Sequence, residues 1–450
     1  MSEQKSKRRG STVGVIGLGD NAAPSLSTMP INPSQERESR RRIRALSGTT
    51  EALIERTSDG SASSSGISPA TTKLRASSTK SKTTAVKHKK QPQQLSFPQM
   101  VWLWYREISY RNSWFNPMIL LIFFALVYLG LDALGVKSNP LEPFFTLSYR
   151  IEPAAPGDPV YYGKGKKDFL FVFMAMLFFT FFREFWMQVI LRPLAIKVGI
   201  QKKGKISRFM EQTYSIVYYG MSGPFGLYIM YHTPIWYFNT TAFYAEFPHR
   251  EHIAIFKFFY LMQAAFWAQQ SVVLSLMLEK PRKDFYELVF HHIVTMALIF
   301  LSYRFHFTWI GLAVYVTMDI SDFFLAISKT LNYLDSVLTG PFFLGFMGVW
   351  IYTRHYLNLC ILYSILTEFR TVGPYDLNWE TQQYKCWISQ IITFALLMAL
   401  QLVNAYWLFL IVRIAFRFLF SGVQKDDRSD DEEEEELEIE DDSTSSESSK

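Results

Sequence analysis

Long apolar segments alternate with short polar connections along most of the chain, and this pattern predicts membrane-spanning helices. A helix needs about 20 apolar residues to cross a bilayer. Eight segments approach that length, at residues 115–136, 168–192, 212–236, 253–278, 287–305, 308–327, 338–366 and 387–419. A count made from hydropathy alone carries an error of one span. The pattern therefore predicts an all-α polytopic membrane protein with seven to eight spans.

The two ends of the chain differ from this apolar middle. Residues 1–97 are rich in Ser, Thr, Lys and Arg, and residues 422–450 are strongly acidic. Neither segment contains enough apolar surface to offset the entropy of ordering, so both are predicted to be disordered. The net charge of +6 combines these opposite ends, and we expect no nucleic-acid partner. Residues 98–203 are interpreted as an interfacial helix followed by the first two spans.

Cysteines and leader sequences add little. The two cysteines, Cys360 and Cys386, give neither a metal-ligand spacing nor a disulfide framework. We expect no metal and no cofactor. No apolar run lies near Met1, so a cleavable signal peptide is not expected.

Basic connections between the spans indicate the orientation. The connection "IKVGIQKKGKISR" follows the second span, and "EKPRKD" follows the fourth. Because cytosolic loops carry an excess of Lys and Arg, both connections are predicted to be cytosolic, together with the N-terminus and the acidic tail. Asn239 begins an Asn-Thr-Thr sequon on the predicted lumenal side.

Four ionisable residues lie inside two neighbouring spans. His291 and His292 occupy the beginning of the fifth span, roughly 6–8 Å below its cytosolic entry at 1.5 Å per residue. Asp319 and Asp322 lie near the cytosolic end of the sixth span, on one helix face. The spans are antiparallel, so the four residues are predicted to converge at one depth. Ionisable groups are costly there, which points to a shared role.

The residues alone allow three interpretations of that role. A carboxylate beside a histidine fixes its tautomer and makes the ring a general base or a nucleophile. Adjacent helix residues point about 100° apart, so only one histidine faces the aspartates squarely. The pair could instead be polar contacts that hold two helices together, or part of a proton or ion path.

Further polar residues lie within or beside the predicted spans, namely Arg183, Glu184, Gln269, Gln270, Arg354, His355, Lys280, Arg282 and Lys283. The first two are interpreted as a charge-compensating pair. The glutamines either bond across helices or line a cavity, and Arg354 and His355 either pack or line one. The last three residues are a topology signal or a site for an anionic head group. In the tails, Ser47 and Ser429 lie in sequences that suit kinases.

Residues 282–334, which begin "RKDFYELVFHH" and contain "MDISDFF", resemble the Lag motif of ceramide synthases. Residues 204–421 resemble the TLC domain of that family. The segments "LGDNAAPSL", "REISYR" and "KDDRSD" are similar to the fungal longevity-assurance type. One departure is Met318, which precedes Asp319 where animal members often have histidine.

This resemblance implies a TLC-type helical bundle around a central cavity, in the endoplasmic reticulum membrane. It implies transfer of a very-long-chain acyl group from acyl-CoA, as co-substrate, to dihydrosphingosine or phytosphingosine. Carried over by position, His291, His292, Asp319 and Asp322 match the paired catalytic residues of the family. The resemblance also implies a small single-pass regulatory subunit and homo- or hetero-oligomers.

Two mechanisms and one other function stay open. The amine attacks the thioester directly with histidine as base, or an acyl-histidine intermediate forms first. Alternatively, the chain is a non-catalytic lipid-binding or lipid-transport protein, since TLC-type folds occur in such proteins too.

Overall fold

The computed structural model describes residues 96–153, 155–276 and 284–421. The predicted disordered ends, Ser47 and Ser429, and the basic residues Lys280, Arg282 and Lys283 lie outside these ranges. Within the ranges, the helices are α1 Phe97–Arg111, α2 Phe115–Ala133, α3 Glu142–Phe145, α4 Asp168–Phe185, α5 Arg192–Lys197, α6 Lys203–Tyr231, α7 Ala254–Ser275, α8 Phe285–Arg304, α9 Thr308–Tyr333, α10 Thr339–Trp350, α11 Asn358–Thr367 and α12 Trp387–Ser421. The all-α prediction is confirmed.

Two of these helices continue into the next through a π-helical segment. Residues Trp186–Leu191 join α4 to α5, and Ile351–Leu357 join α10 to α11. The first segment precedes Pro193. A proline removes one backbone donor and its ring collides with the carbonyl four residues earlier. The wider π turn before Pro193 makes room for the proline ring, so that α4 continues into α5 without a break.

Five helical stretches are long and apolar enough to cross a membrane, at Phe115–Ala133, Asp168–Lys197, Phe285–Arg304, Thr308–Tyr333 and Trp387–Phe420. Each overlaps a predicted span, which supports the expectation of a membrane protein. Helices α6 and α7 and the α10–α11 rod occupy the three remaining predicted positions. These three carry buried polar side chains, such as Glu211, Gln263 and Asn358. The count of seven to eight spans stays a prediction.

Close helix packing builds the core. Helix α9 lies against α6, α8 and α10, while α12 lies against α8 and α10. At Gly226 on α6, a Cβ atom would come within 2.9 Å of Val316 on α9, so only glycine allows this approach. A second apolar cluster joins Phe346 and Trp350 on α10 to Ile411 on α12.

The loops at one end of the bundle form a cap, which we call the loop cap. It is made of residues 145–153, 155–167, 232–253, 305–307 and 368–386. It contains a small antiparallel sheet of β1 Arg150–Ile151, β2 Tyr161–Tyr162 and β3 His252–Ile253, in that order. Within it, Lys164 Nζ donates to the His249 carbonyl at 2.8 Å and lies 3.3 Å from His306 Nδ1. The ring of His306 in turn lies 3.1 Å from Gln382 Oε1. Loops that are distant in sequence are thus joined by buried polar contacts.

Candidate active site

Two cavities meet inside the helical bundle. The apolar cavity, of about 230 Å³, lies between α8, α9 and α12 and reaches Trp379 and Tyr384 in the loop cap. The polar cavity, also of about 230 Å³, lies toward the opposite end and is lined by residues of α4, α6, α8 and α9. Trp267, His291 and Arg354 line both cavities. The chain therefore brings a histidine and an arginine to the boundary between an apolar and a polar space.

His291 and His292 lie in the second turn of α8 with different surroundings. His291 is buried, and its Nε2 lies 3.5 Å from Thr295 Oγ1. Its Nδ1 has no hydrogen-bond partner among the described residues. His292 Nδ1 lies 2.9 Å from the Leu288 carbonyl, a contact that requires the proton on Nδ1. Both rings line the polar cavity, and only His291 of the two also lines the apolar one.

Asp322 is paired with Arg354. Arg354 Nη2 lies 2.5 Å from Asp322 Oδ1, and the guanidinium also donates to Ser321 Oγ at 2.6 Å and to Asn404 Oδ1 at 3.1 Å. The arginine lies in the π-helical segment Ile351–Leu357 and is only 2% exposed. Such segments often occur at functional sites, because the extra residue in the turn redirects a side chain. Here the arginine faces the aspartate on α9.

Asp319 lies one helical turn from Asp322 on α9 and is fully buried. Gln263 Nε2 on α7 donates to Asp319 Oδ2, and Gln263 Oε1 accepts from Tyr218 on α6 at 2.8 Å. The predicted convergence of histidines and aspartates is therefore only partly seen. Asp322 shares the polar cavity with both histidines, whereas Asp319 does not line it.

The expected carboxylate–imidazole bond is not among the contacts of His291 in the described part of the chain. The physical reason differs between the two carboxylates. Arg354 offers a charged, planar donor to Asp322, whereas Asp319 accepts from the Gln263 amide through Oδ2 alone and does not line the polar cavity that the histidines share.

The remaining predicted residues divide between the cavities and the packing. Gln270 and Arg183 line the polar cavity. Gln269 is buried and accepts from Gln270 Nε2 at 3.1 Å. Arg183 pairs with Glu184 at 2.6 Å, as expected for charge compensation.

His355 lies apart from the arginine that precedes it. Its Nδ1 accepts from Gln401 Nε2 on α12 at 2.8 Å, and it is not among the residues that line the two cavities. Within the described ranges, no group of three or more His, Cys, Asp or Glu residues is arranged to hold a metal ion.

Several functional neighbours were missed by the sequence reasoning, namely Trp267, Gln263, Ser321, Asn404 and Trp407. Trp267 packs edge-on against both histidines, with ring centroids 6.0 Å from His291 and 5.9 Å from His292. In the segment "FWAQQSVV", the sequence singled out Gln269 and Gln270 as candidates. In the structure, it is the nearby Trp267 that contacts the two histidines. Aromatic residues are so frequent in these spans that this one gave no separate signal.

Comparison with known proteins identifies the family of the chain. The TLC domain profile matches residues 208–413. The ceramide synthase LAG1 of Saccharomyces cerevisiae is 47% identical over 427 residues, which cover 95% of this chain and 92% of that protein. The chain belongs to the ceramide synthase family. The resemblance seen in the sequence is thereby confirmed.

Other ceramide synthase family members agree with this result. The sphingosine N-acyltransferase lac1 of Schizosaccharomyces pombe is 49% identical over 72% of this chain and 82% of its own length. The ceramide synthase hyl-1 of Caenorhabditis elegans is 27% identical over 52% of this chain and 63% of its own length. The TLC match of this ceramide synthase family member includes both histidines, both aspartates and Arg354.

Proposed function

We propose that the chain transfers a fatty acyl group from acyl-CoA to the amine of a sphingoid base, with His291 as the residue that handles the proton. The observation that carries the proposal is the position of His291 where the polar and apolar cavities meet. An acyl-CoA molecule has the same division, with a polar nucleotide portion, an apolar chain and a thioester between them. When the acyl chain of acyl-CoA occupies the apolar cavity, the thioester lies beside His291.

The apolar cavity suits a long hydrocarbon chain. Its lining follows α8 from His291 to Ser302, about 16 Å along the helix axis, and continues to Trp379 in the loop cap. This length suits a long acyl chain, and a very-long-chain acyl group stays a prediction from the family resemblance. The sphingoid base, either dihydrosphingosine or phytosphingosine, brings its amine to the thioester from the polar cavity.

The reaction balances with groups on this chain. The amine nitrogen attacks the thioester carbon, the C–N bond forms, and the C–S bond breaks as CoA leaves as a thiolate. His291 accepts the proton that the amine loses and returns one to the thiolate. In the covalent route, His291 instead attacks the thioester first and the amine then displaces it. Arg354, held by Asp322, stabilises negative charge on either path.

Mutation of the site tests the proposal. In purified protein in nanodiscs, His291→Ala is expected to lower the rate of amide formation by at least about 100-fold, because the general base or nucleophile is lost. Asp322→Ala is expected to cause a comparable loss, because Arg354 loses the partner that orients it. His232→Ala, an exposed histidine at the end of α6, serves as the matched control with normal turnover.

A wild-type rate in His291→Ala would remove the assignment. Failure of the unmodified protein to form any amide from acyl-CoA and sphingoid base would favour the alternative, a lipid-binding or lipid-transport protein. The unmodified protein and each variant must be shown to be folded and membrane-inserted before their rates are compared.

The finer features implied by the family resemblance belong to the same proposal. They are residence in the endoplasmic reticulum membrane with cytosolic termini, assembly with a single-pass regulatory subunit, and homo- or hetero-oligomers. Contact of CoA phosphates with Lys280, Arg282 and Lys283 stays a prediction. Support for it comes from Asp284, which lines the polar cavity one residue after that basic cluster. Neutralising the cluster is expected to raise the KM for acyl-CoA and leave kcat nearly unchanged.

A further inference from the structure

Three tryptophans that line the polar cavity keep a buried indole N–H without an acceptor among the described residues. They are Trp267, Trp350 and Trp407. Buried donors in native proteins are nearly always paired, so each exception calls for an explanation. The indole nitrogen only donates. An acceptor supplied by a bound ligand would explain such a group.

Trp267 differs from the other two by its position. It lines the apolar cavity as well as the polar one, as does His291. Trp350 stacks under the Arg354 guanidinium at 4.1 Å, and Trp407 contacts the His291 ring with centroids 5.2 Å apart. Neither of these is among the residues that line the apolar cavity. Trp267 alone of the three therefore lies where the reacting carbonyl is expected.

The Trp267 ring is held in one place. It is 7% exposed, and it packs edge-on against His291, His292 and Phe266 with interplanar angles of 72°, 64° and 83°. A donor that is fixed before the substrate binds needs no reorganisation when charge develops, which makes its hydrogen bond effective in catalysis.

We propose that the Trp267 indole N–H donates a hydrogen bond to the thioester carbonyl oxygen of acyl-CoA while that oxygen gains negative charge. This inference rests on the proposed function, in which His291 handles the proton. As the amine nitrogen bonds to the carbonyl carbon, the C=O electron pair moves onto oxygen and Trp267 stabilises it. When the pair returns, the C–S bond breaks and CoA leaves as its thiolate, which takes up the proton held by His291.

The test separates the carbonyl contact from packing. Trp267→Phe keeps an aromatic ring and removes the donor. We expect its single-turnover rate of amide formation to fall about 100- to 1000-fold, the usual cost of one such donor. An S-alkyl-CoA thioether has the chain and the nucleotide but no carbonyl. Its inhibition constant is expected to be the same in the variant and in the unmodified protein.

Two further proteins complete the experiment. Trp309→Phe alters a tryptophan that stacks on His249 in the loop cap, 3.9 Å between ring centroids, and is expected to keep the full rate. If Trp267→Phe does not fold, replacement of Trp267 by benzothienylalanine keeps the ring shape and exchanges only the N–H for sulfur. The same loss of rate is expected there.

Two results would overturn the inference. One is an unchanged single-turnover rate in the folded variant. The other is a parallel loss of thioether binding and rate, which would make Trp267 a packing residue. Either result, obtained with His291→Ala inactive, would leave the proposed function in place. An active His291→Ala protein would instead remove the proposed function.

Discussion

Arg354 is a permanent positive charge within the bundle, and its surroundings compensate for that charge. Its guanidinium contacts Asp322, Ser321 and Asn404, and its flat face lies over Trp350. Removing one partner from a buried ion pair is costly, because the other charge is left uncompensated. The arrangement therefore keeps a cation next to His291 and in one orientation.

Individual residues show where sequence reasoning succeeds. His291, Asp322 and Arg354 are conspicuous because charge is rare in apolar segments. The sequence predicted that His291 and Asp322 lie close together, whereas Arg354 was expected only to pack or to line a cavity. Gln263 and Asn404 are neutral and resemble many other polar residues in these spans. Their importance comes from which helices face each other, and the periodicity of one helix does not contain that information.

Two histidines in the loop cap predict a pH dependence of stability. Burial lowers the pKa of His249 to about 4. Burial and the nearby Lys164 lower that of His306 to about 3. In the unfolded chain both titrate near 6.5. The folded protein thus binds fewer protons, so this contribution is complete above about pH 6.5 and is lost as the pH falls toward 4 and then 3.

The free energy of unfolding is therefore expected to fall between pH 7 and pH 5, by up to about 1.4 kcal/mol per pH unit for each histidine. Unfolding followed by tryptophan fluorescence in detergent micelles measures it. His306→Gln should flatten the profile, since a neutral amide does not titrate, and the exposed-site variant His232→Gln should not. An equally steep profile in His306→Gln would contradict the explanation.

At the scale of elements, a buried ion pair joins α4 to α7 beside the loop cap. Lys257 Nζ lies 2.7 Å from Asp168 Oδ1. The lysine also donates to the Ser148 and Gly163 carbonyls, and Tyr303 on α8 donates to Asp168 Oδ2 at 2.8 Å. Three helices and one loop thus share a single polar centre. Hydropathy located these helices correctly but could not pair a lysine with an aspartate 89 positions away in sequence.

Variants of this ion pair are expected to differ in their free energy of unfolding, in a definite order. Lys257→Met leaves Asp168 buried without its cation and should lower the free energy of unfolding by about 3–5 kcal/mol. The double variant Lys257→Met/Asp168→Leu removes the stranded charge and should recover part of that loss. Recovery is incomplete because Tyr303 and two carbonyls lose partners. Denaturant unfolding of both proteins checks the order, and a double variant less stable than Lys257→Met would contradict it.

At the scale of the whole molecule, the helices differ in how much of their surface the protein covers. In α2 no residue is buried, although its mean hydropathy is 1.9. In α9, 56% of the most apolar stretch is buried. A helix with apolar side chains on all sides and little protein contact suits contact with lipid. The pattern of hydropathy predicts both helices equally well, because it records composition and not which neighbours surround a helix.

The proposed orientation has a direct test. If the N-terminus, the loop 279–286 and the acidic tail face the cytosol, protease added to sealed microsomes should cleave all three. The loop cap should stay protected until detergent is added. Because an even number of spans brings both termini to one side, a protected tail would show that the span count is odd.

The π-helical segment Ile351–Leu357 can be regarded as an inserted residue. A regular α-helix with the same number of residues would rotate every later position by about 100° relative to α10. Asn358 and His355 would then turn away from Gln401, which both contact on α12. The length of this rod is therefore under a constraint separate from that on its side chains. Single-residue insertions here, which add a residue beyond the one that the π turns already absorb, should be far less tolerated than substitutions at the exposed Tyr356.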